Sequence, residues 1–172
     1  SERDQYERTR KEELQEIIEG KFMTAANLQE APTFSLVTEG NHTISELITL
    51  GKYDWSNKWI TDERFLIKPH MSVNRTIEYV TFAYDLDSEQ VLSEFTRRGL
   101  ERPTYEDALY FGIQYPEEQR KAPFVWLHEP VQGPYGSRHV LVLCEDGRER
   151  YLRLRWFDSR WIRSCVFPAV RK

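Results

Sequence analysis

Residues 150–172 read RYLRLRWFDSRWIRSCVFPAVRK, with large apolar side chains at Leu152, Leu154, Trp156, Phe157, Trp161 and Phe167 and residues of no common character between them. Read as a strand over 150–156, the segment sends its side chains alternately to two faces. Leu152, Leu154 and Trp156 then share one face, and Tyr151, Arg153 and Arg155 the other. The leucine face is expected inward, because burying each large apolar side chain yields roughly 1.5–3 kcal/mol. Burying the arginines unpaired would cost far more. Trp161 and Phe167 are expected to pin the following loop to the core. Asp158, Ser159, Arg160, Ile162, Arg163, Ser164 and Cys165 are left to face outward beside the strand row. A solvated strand face and a polar loop have a similar polarity. Against that plainer reading, Tyr and Arg are enriched at binding hot spots, and Ile162 and Cys165 are odd choices for a loop that only meets water.

Upstream of this segment, short strands are expected in APFVWLHEP and SRHVLVLCE, separated by the turn stretches QGPYGS and EDGRE, and again in CVFPAV. Two helices are expected before them. Asp87 or Ser88 caps one that carries Val91, Leu92 and Phe95 and stops at Gly99. Thr104 caps the other, which has acidic residues in its first turn, apolar surface at Leu109, Phe111 and Ile113, and an end marked by Pro116. RTIEYVTFAYD, residues 75–85, alternates well and is rich in β-branched and aromatic residues, so a strand covered on both faces is expected. Strands after helices with no repeated βαβ unit indicate an α+β fold. The first 22 residues read as an N-terminal helix with a thin stripe at Leu14, Ile17 and Ile18 and a stop at Gly20. Residues 23–45 read as linker or irregular structure, and 46–172 as the domain.

Length and composition fit a folded domain: 172 residues, 40% hydrophobic, 30% charged and 13% aromatic with five Trp. Net charge is −4, but residues 148–172 hold eight Lys or Arg against two acidic residues, so the remainder carries −10. A basic, aromatic end on an acidic body suggests a surface with its own task. Two cysteines, Cys144 and Cys165, make no disulfide framework. No stretch is long or apolar enough to span a bilayer, and a cytoplasmic location is the default expectation, with surface display left open. His42, His70, His128 and His139 show no metal-ligand spacing. HExxH, GxSxG and Walker patterns are missing, so no catalytic, metal or cofactor residue is assigned. Asp85, Asp87 and Glu89 read as helix capping rather than a cation loop.

The pattern LxLxWFDxxWxxxxxFxAVRK resembles the C-terminal variable region of proteins diversified by retroelements. RRGLERPTYEDALYFGIQYPEEQRKAPFVWL resembles the shared region of the same group, closest to the archaeal AvpA-like variable proteins. The likeness covers roughly residues 46–172. It implies a C-type lectin-like fold, with two helices packed on short, mostly antiparallel strands, here carrying an N-terminal helical extension. It also implies a variable region at about 150–166. In such systems a reverse transcriptase miscopies adenines, and AAC codons become NNC. Every one of Tyr151, Arg153, Arg155, Asp158, Ser159, Arg160, Ile162, Arg163, Ser164 and Cys165 is encodable as NNC. The framework Leu152, Leu154, Trp156, Phe157, Trp161 and Phe167 can use adenine-free codons. Val166 stands where the family has Arg; it too is encodable as NNC, which makes it a further candidate. Pro168 replaces the usual Leu and removes a ladder donor.

The resemblance implies a non-enzymatic binding protein that needs no cofactor. The four arginines of the surface point to an acidic, carboxylate-bearing partner, by preference a protein. Calcium-dependent sugar binding lacks its EPN or QPD tripeptide. Two other readings stand beside this one. A nucleic-acid-binding module would use the basic aromatic end, against an acidic remainder. An enzyme of the formylglycine-generating group would share the fold and require a suitable cysteine pair.

Overall fold

The computed structural model describes residues 1–11 and 31–172. The chain divides into two units, Ser1–Ala31 and Pro32–Lys172. In the first, residues 2–11 are helical; the stripe Leu14, Ile17, Ile18 and the stop at Gly20 lie outside the described residues.

The second unit is a mixed α+β fold. Its strands are β1 (Thr33–Thr38), β2 (Trp55–Ser56), β3 (Val73–Val80), β4 (Leu86–Asp87), β5 (Leu100–Glu101), β6 (Phe124–Gln132), β7 (Arg138–Asp146), β8 (Glu149–Trp156), β9 (Arg160–Trp161) and β10 (Phe167–Arg171). Its helices are α1 (Ile44–Gly51), α2 (Ser88–Arg97) and α3 (Tyr105–Gln114). One antiparallel sheet runs β1-β3-β10-β5, a second runs β2-β8-β7-β6, and β4 pairs with β9. Within the second sheet only the short β2–β8 pairing is parallel. Val166 ties the two larger sheets together. Its N–H donates to the Pro123 carbonyl and its own carbonyl accepts from Val125, both at 2.9 Å.

The caps fall where their residue types predict. Asp87 accepts from the Gln90 N–H at 2.8 Å and Gln90 reciprocates, and Thr104 and Asp107 do the same for α3. The stretch 23–45, expected as linker or irregular, contains β1, which pairs with β3 from Thr33 to Thr38. Its six residues bury only alternate side chains such as Leu36, so the apolar signal is short. The strand expected over 75–85 is shifted to 73–80, and its last residues turn away before β4. Pro168 sits within β10 opposite Tyr79, and the pairing to β3 survives it.

Two apolar layers lie on opposite faces of the β6-β7-β8 sheet. Phe124, Trp126, Leu141, Leu143 and Leu152 pack into the layer that includes residues of α1 and α3. Val125, Leu127, Val140, Val142 and Cys144 pack into the other, with Val91 and Phe95 of α2. The continuous run Val140–Cys144 therefore has both its faces buried, as an unbroken apolar strand demands.

Gly112 of α3 leaves space for the buried hydroxyl of the half-buried Tyr53: a Cβ there would lie 1.9 Å from it. Gly112→Ala should therefore destabilise by about 1–3 kcal/mol, against the gain that alanine normally brings inside a helix. Urea unfolding checks the sign, and a stabilised variant would show that Tyr53 gives way freely.

His128 sits in the irregular part of β6, between Trp126 and Val131, where the register to β7 shifts. Its Nε2 accepts from the Leu141 N–H at 3.0 Å, which leaves Nδ1 to donate to the Glu129 carbonyl at 2.7 Å. Both nitrogens are used by the neutral ring, and burial pulls its pKa down to about 4. The folded state thus binds fewer protons than the unfolded state between pH 6.5 and 4. Stability is highest above that window and is lost as pH falls through it, at up to roughly 1.4 kcal/mol per pH unit from this group. Urea titrations at pH 6.5 and 4.5 should show a smaller pH loss in His128→Gln than in the parent. Equal losses would place the acid sensitivity elsewhere.

Candidate functional site

In antiparallel pairing, directly opposed residues share a face. Arg155 lies opposite Val140, Arg153 opposite Val142 and Tyr151 opposite Cys144. The row expected to face solvent is thus the margin of the second apolar layer. Its cover ends over β8, so Arg155 is exposed while Arg153 and Tyr151 are half-buried. Arg153 donates to Asp146 at 3.0 Å and lies 5.0 Å from the centre of the Tyr151 ring. Tyr151 also neighbours Trp55 of β2, at a centroid distance of 5.3 Å, and its hydroxyl donates to Glu149 at 3.3 Å.

The loop after β8 is held from below. Phe157 and Trp161 are buried in the second layer with Phe167. The Trp161 indole N–H donates to the Ser88 hydroxyl at 2.8 Å, and that hydroxyl donates to the Phe157 carbonyl at 2.6 Å. Asp85 holds the loop from the side: its carboxylate accepts from the Arg163 N–H at 2.9 Å and its carbonyl from Arg160 at 3.2 Å. Of the acidic trio read as capping residues, Asp87 does cap α2, whereas Asp85 braces this loop. Asp158 pairs with Arg138. With its backbone fixed, the loop exposes Asp158, Arg160, Ile162, Arg163 and Ser164, while Ser159 is half-buried.

Three clefts adjoin on this surface. One of about 430 Å³ is bordered by Arg153, Arg155, Arg160, Ile162 and Cys165. A second of about 350 Å³ is bordered by Asp158, Ser159 and Arg160. A third of about 670 Å³ is bordered by Arg160, Ile162, Arg163 and Ser164, with Ala83, Tyr84 and Asp85 opposite. Arg160 belongs to all three. Nine of the ten candidate residues therefore surround one continuous region, and Tyr151 joins it through Arg153. The contributions of Asp85 and Trp55 to this surface come from distant segments, and that of Asp146 from the neighbouring strand of the β7–β8 hairpin, seven residues before Arg153.

Two assignments are corrected. Cys165 was expected to face outward, but it is 4% exposed and packs in the second layer, where the carbonyl of Ile162 turns its backbone inward at 3.0 Å. Trp156 was expected beneath the site with Leu152 and Leu154, but it is 65% exposed. Neighbouring β2 pairs only with Tyr151 and Leu152, so the far end of β8 has no layer over it. Leu154 is already only partly buried there, and Trp156 instead borders a separate cleft with Trp59, Pro134 and His139. Leu152, Phe157, Trp161 and Phe167 are buried as expected. Val166, the further variable candidate, is buried as well.

Burial raises the thiol pKa of both Cys144 and Cys165. Both should therefore alkylate more slowly in the folded protein at pH 8 than in the urea-unfolded chain. Equal rates would contradict their burial.

Another cleft, also about 430 Å³, lies between residues 66–75, the start of α3 and the end of β6. Its polar groups mostly engage one another: His70 Nε2 meets Glu106 at 2.5 Å, and Arg102 donates to Glu129 and to the carbonyls of Leu127 and His128. The His70–Glu106 contact fastens the 66–75 segment to α3, and the Arg102 contacts tie the stretch before α3 to the end of β6. Among the described residues, no three His, Cys, Asp or Glu side chains form a metal-holding group, and no helix is long and apolar enough to cross a membrane. No protein-family model, curated protein or solved structure matches this chain.

Proposed function

We propose that the second unit is a non-enzymatic binding domain of the C-type lectin-like kind, in which a retroelement-type variable region displays exchangeable residues on a constant frame. One observation carries the reading. Residues singled out for their lack of pattern surround one region centred on Arg160, while Leu152, Phe157, Trp161 and Phe167 lie beneath it. The partner is an acidic protein surface. Arg153 is engaged by Asp146 and Arg160 by a carbonyl, but among the described residues the side chains of Arg155 and Arg163 meet no carboxylate. A stable interface uses about 20–30 residues a side, so this patch is the centre of a wider contact.

The test is a library with NNC codons at 151, 153, 155, 158, 159, 160, 162, 163 and 164, displayed on yeast and selected on several unrelated proteins. Most members should fold, because six of the nine positions are exposed, where substitutions usually change stability by no more than about 0.5 kcal/mol each, and the other three are half-buried rather than core; target-specific clones should emerge. A library that mostly unfolds, or that yields binders indifferent to these positions, would overturn the reading.

A further inference from the structure

We infer that residue 165 sets the depth of a cleft in which the binding surface takes an apolar side chain flanked by carboxylates. This rests on the proposed binding function and adds the chemistry of the anchor. Of the ten candidate residues, Cys165 is the one buried, and unlike the further candidate Val166 it packs in the second layer, where it borders the cleft between β8 and the loop. Of the other apolar lining residues, Pro123, Val125, Val142 and Cys144 come from β6, β7 and the turn before β6, outside the variable region, while Trp161 and Ile162 come from the loop itself, the first as framework and the second as a candidate variable residue. The cleft is thus apolar below and polar above, and at about 430 Å³ it falls in the size range of small-ligand pockets.

The charged groups at its mouth decide what can accompany that side chain. Both carboxylates there are engaged: Asp146 accepts from Arg153 at 3.0 Å, and Glu145 lies 3.4 Å from Arg120. Arg160 faces the cleft, and among the described residues its guanidinium is bonded only to a carbonyl. Arg155 is exposed and meets no carboxylate among the described residues. The unspent charge is positive, so the segment that fits is an acidic one with a leucine-sized side chain between carboxylates. NNC codons at 165 encode residues from glycine to phenylalanine and tyrosine. Exchange at that position would open or fill the cleft while its constant walls stay in place.

The blocked peptides Ac-Glu-Leu-Glu-NH2, Ac-Glu-Ala-Glu-NH2 and Ac-Lys-Leu-Lys-NH2 test this by amide chemical-shift titration of the full chain. The leucine acidic peptide should bind with a Kd of about 1–10 mM and shift the amides of Val142, Cys144 and Cys165. It should bind about tenfold more tightly than the alanine peptide, given the apolar area that leucine adds, and the lysine peptide should not bind. Cys165→Phe and Arg155→Ser should each weaken binding about tenfold. As a check that needs no variant, saturating leucine peptide should slow alkylation of both thiols. The inference is overturned if there is no binding, if the shifts map elsewhere, if the thiols are not protected, or if affinity is indifferent to residue 165. Should randomised libraries yield binders whose affinity ignores position 165, the binding-surface reading stands and this inference falls alone.

Discussion

Replacing Arg150 by methionine should lower the unfolding free energy by about 3–5 kcal/mol, because it leaves several buried acceptors unpaired at about 1–3 kcal/mol each, part of which water and relaxation recover. Arg150 opens the segment that supplies the binding surface, yet it does the opposite job from Arg153 and Arg155. It is 5% exposed, and its guanidinium donates to the carbonyls of Gly51 at 2.6 Å, Gly112 at 2.9 Å and Pro116 at 3.0 Å, and to Gln119 Oε1 at 3.0 Å. The Tyr53 ring lies 4.7 Å from its carbon. One side chain thus satisfies carbonyls near the ends of α1 and α3, which helices leave without partners. Methionine fills similar space but strands four acceptors in the interior. For a unit of this size, 1 kcal/mol corresponds to roughly 2–4 °C, so Tm should fall by about 10 °C. Lysine should rescue little, having no planar fork with which to reach several acceptors. A Tm unchanged by Arg150→Met would mean that these carbonyls find water instead.

Trp161→Ala should be comparably costly, at about 3–5 kcal/mol from lost burial and the cavity left behind, and should also abolish binding through the adjacent loop. The indole is the peg that joins the loop to Ser88 of α2 and packs edge-on to Phe167 at 6.5 Å. Ser88 then holds the Phe157 carbonyl, so one deletion loosens both ends of residues 157–161. The contrast that matters is with the exposed neighbours on either side. Arg160→Ser and Ile162→Ser should leave Tm within about 2 °C. Paired thermal melts of the three variants check this. If Trp161→Ala melted with the surface variants, the loop would not be anchored from below, and the separation of frame from display would collapse.

Much of this arrangement was legible in the chain itself. The alternation of Leu152 with Tyr151 and Arg153 assigns them to opposite faces, because strand geometry has a period of two. Asp87 and Thr104 mark helix starts because their short side chains meet free N–H groups. The spacing of Phe157, Trp161 and Phe167 marks them as anchors because no other placement buries so much aromatic surface locally. These are short-range consequences of backbone geometry and side-chain type, and they depend on nothing distant.

Only the tertiary structure decided what lies over each face. Periodicity says that Arg153 and Val142 differ in character, but pairing β8 with β7 puts them side by side on one face, at the rim of a second layer built with α2. That is why Cys165 closes inward to become part of a cleft rather than a display residue. It is also why Trp156, on the same alternating face as Leu152, emerges into solvent where β2 stops short. Arg150 differs from its fellow arginines for the same reason: carbonyls from residues 51, 112 and 116 converge on it. Burial is a property of what the rest of the chain brings near, and contacts across a hundred residues of sequence leave no trace in the local pattern.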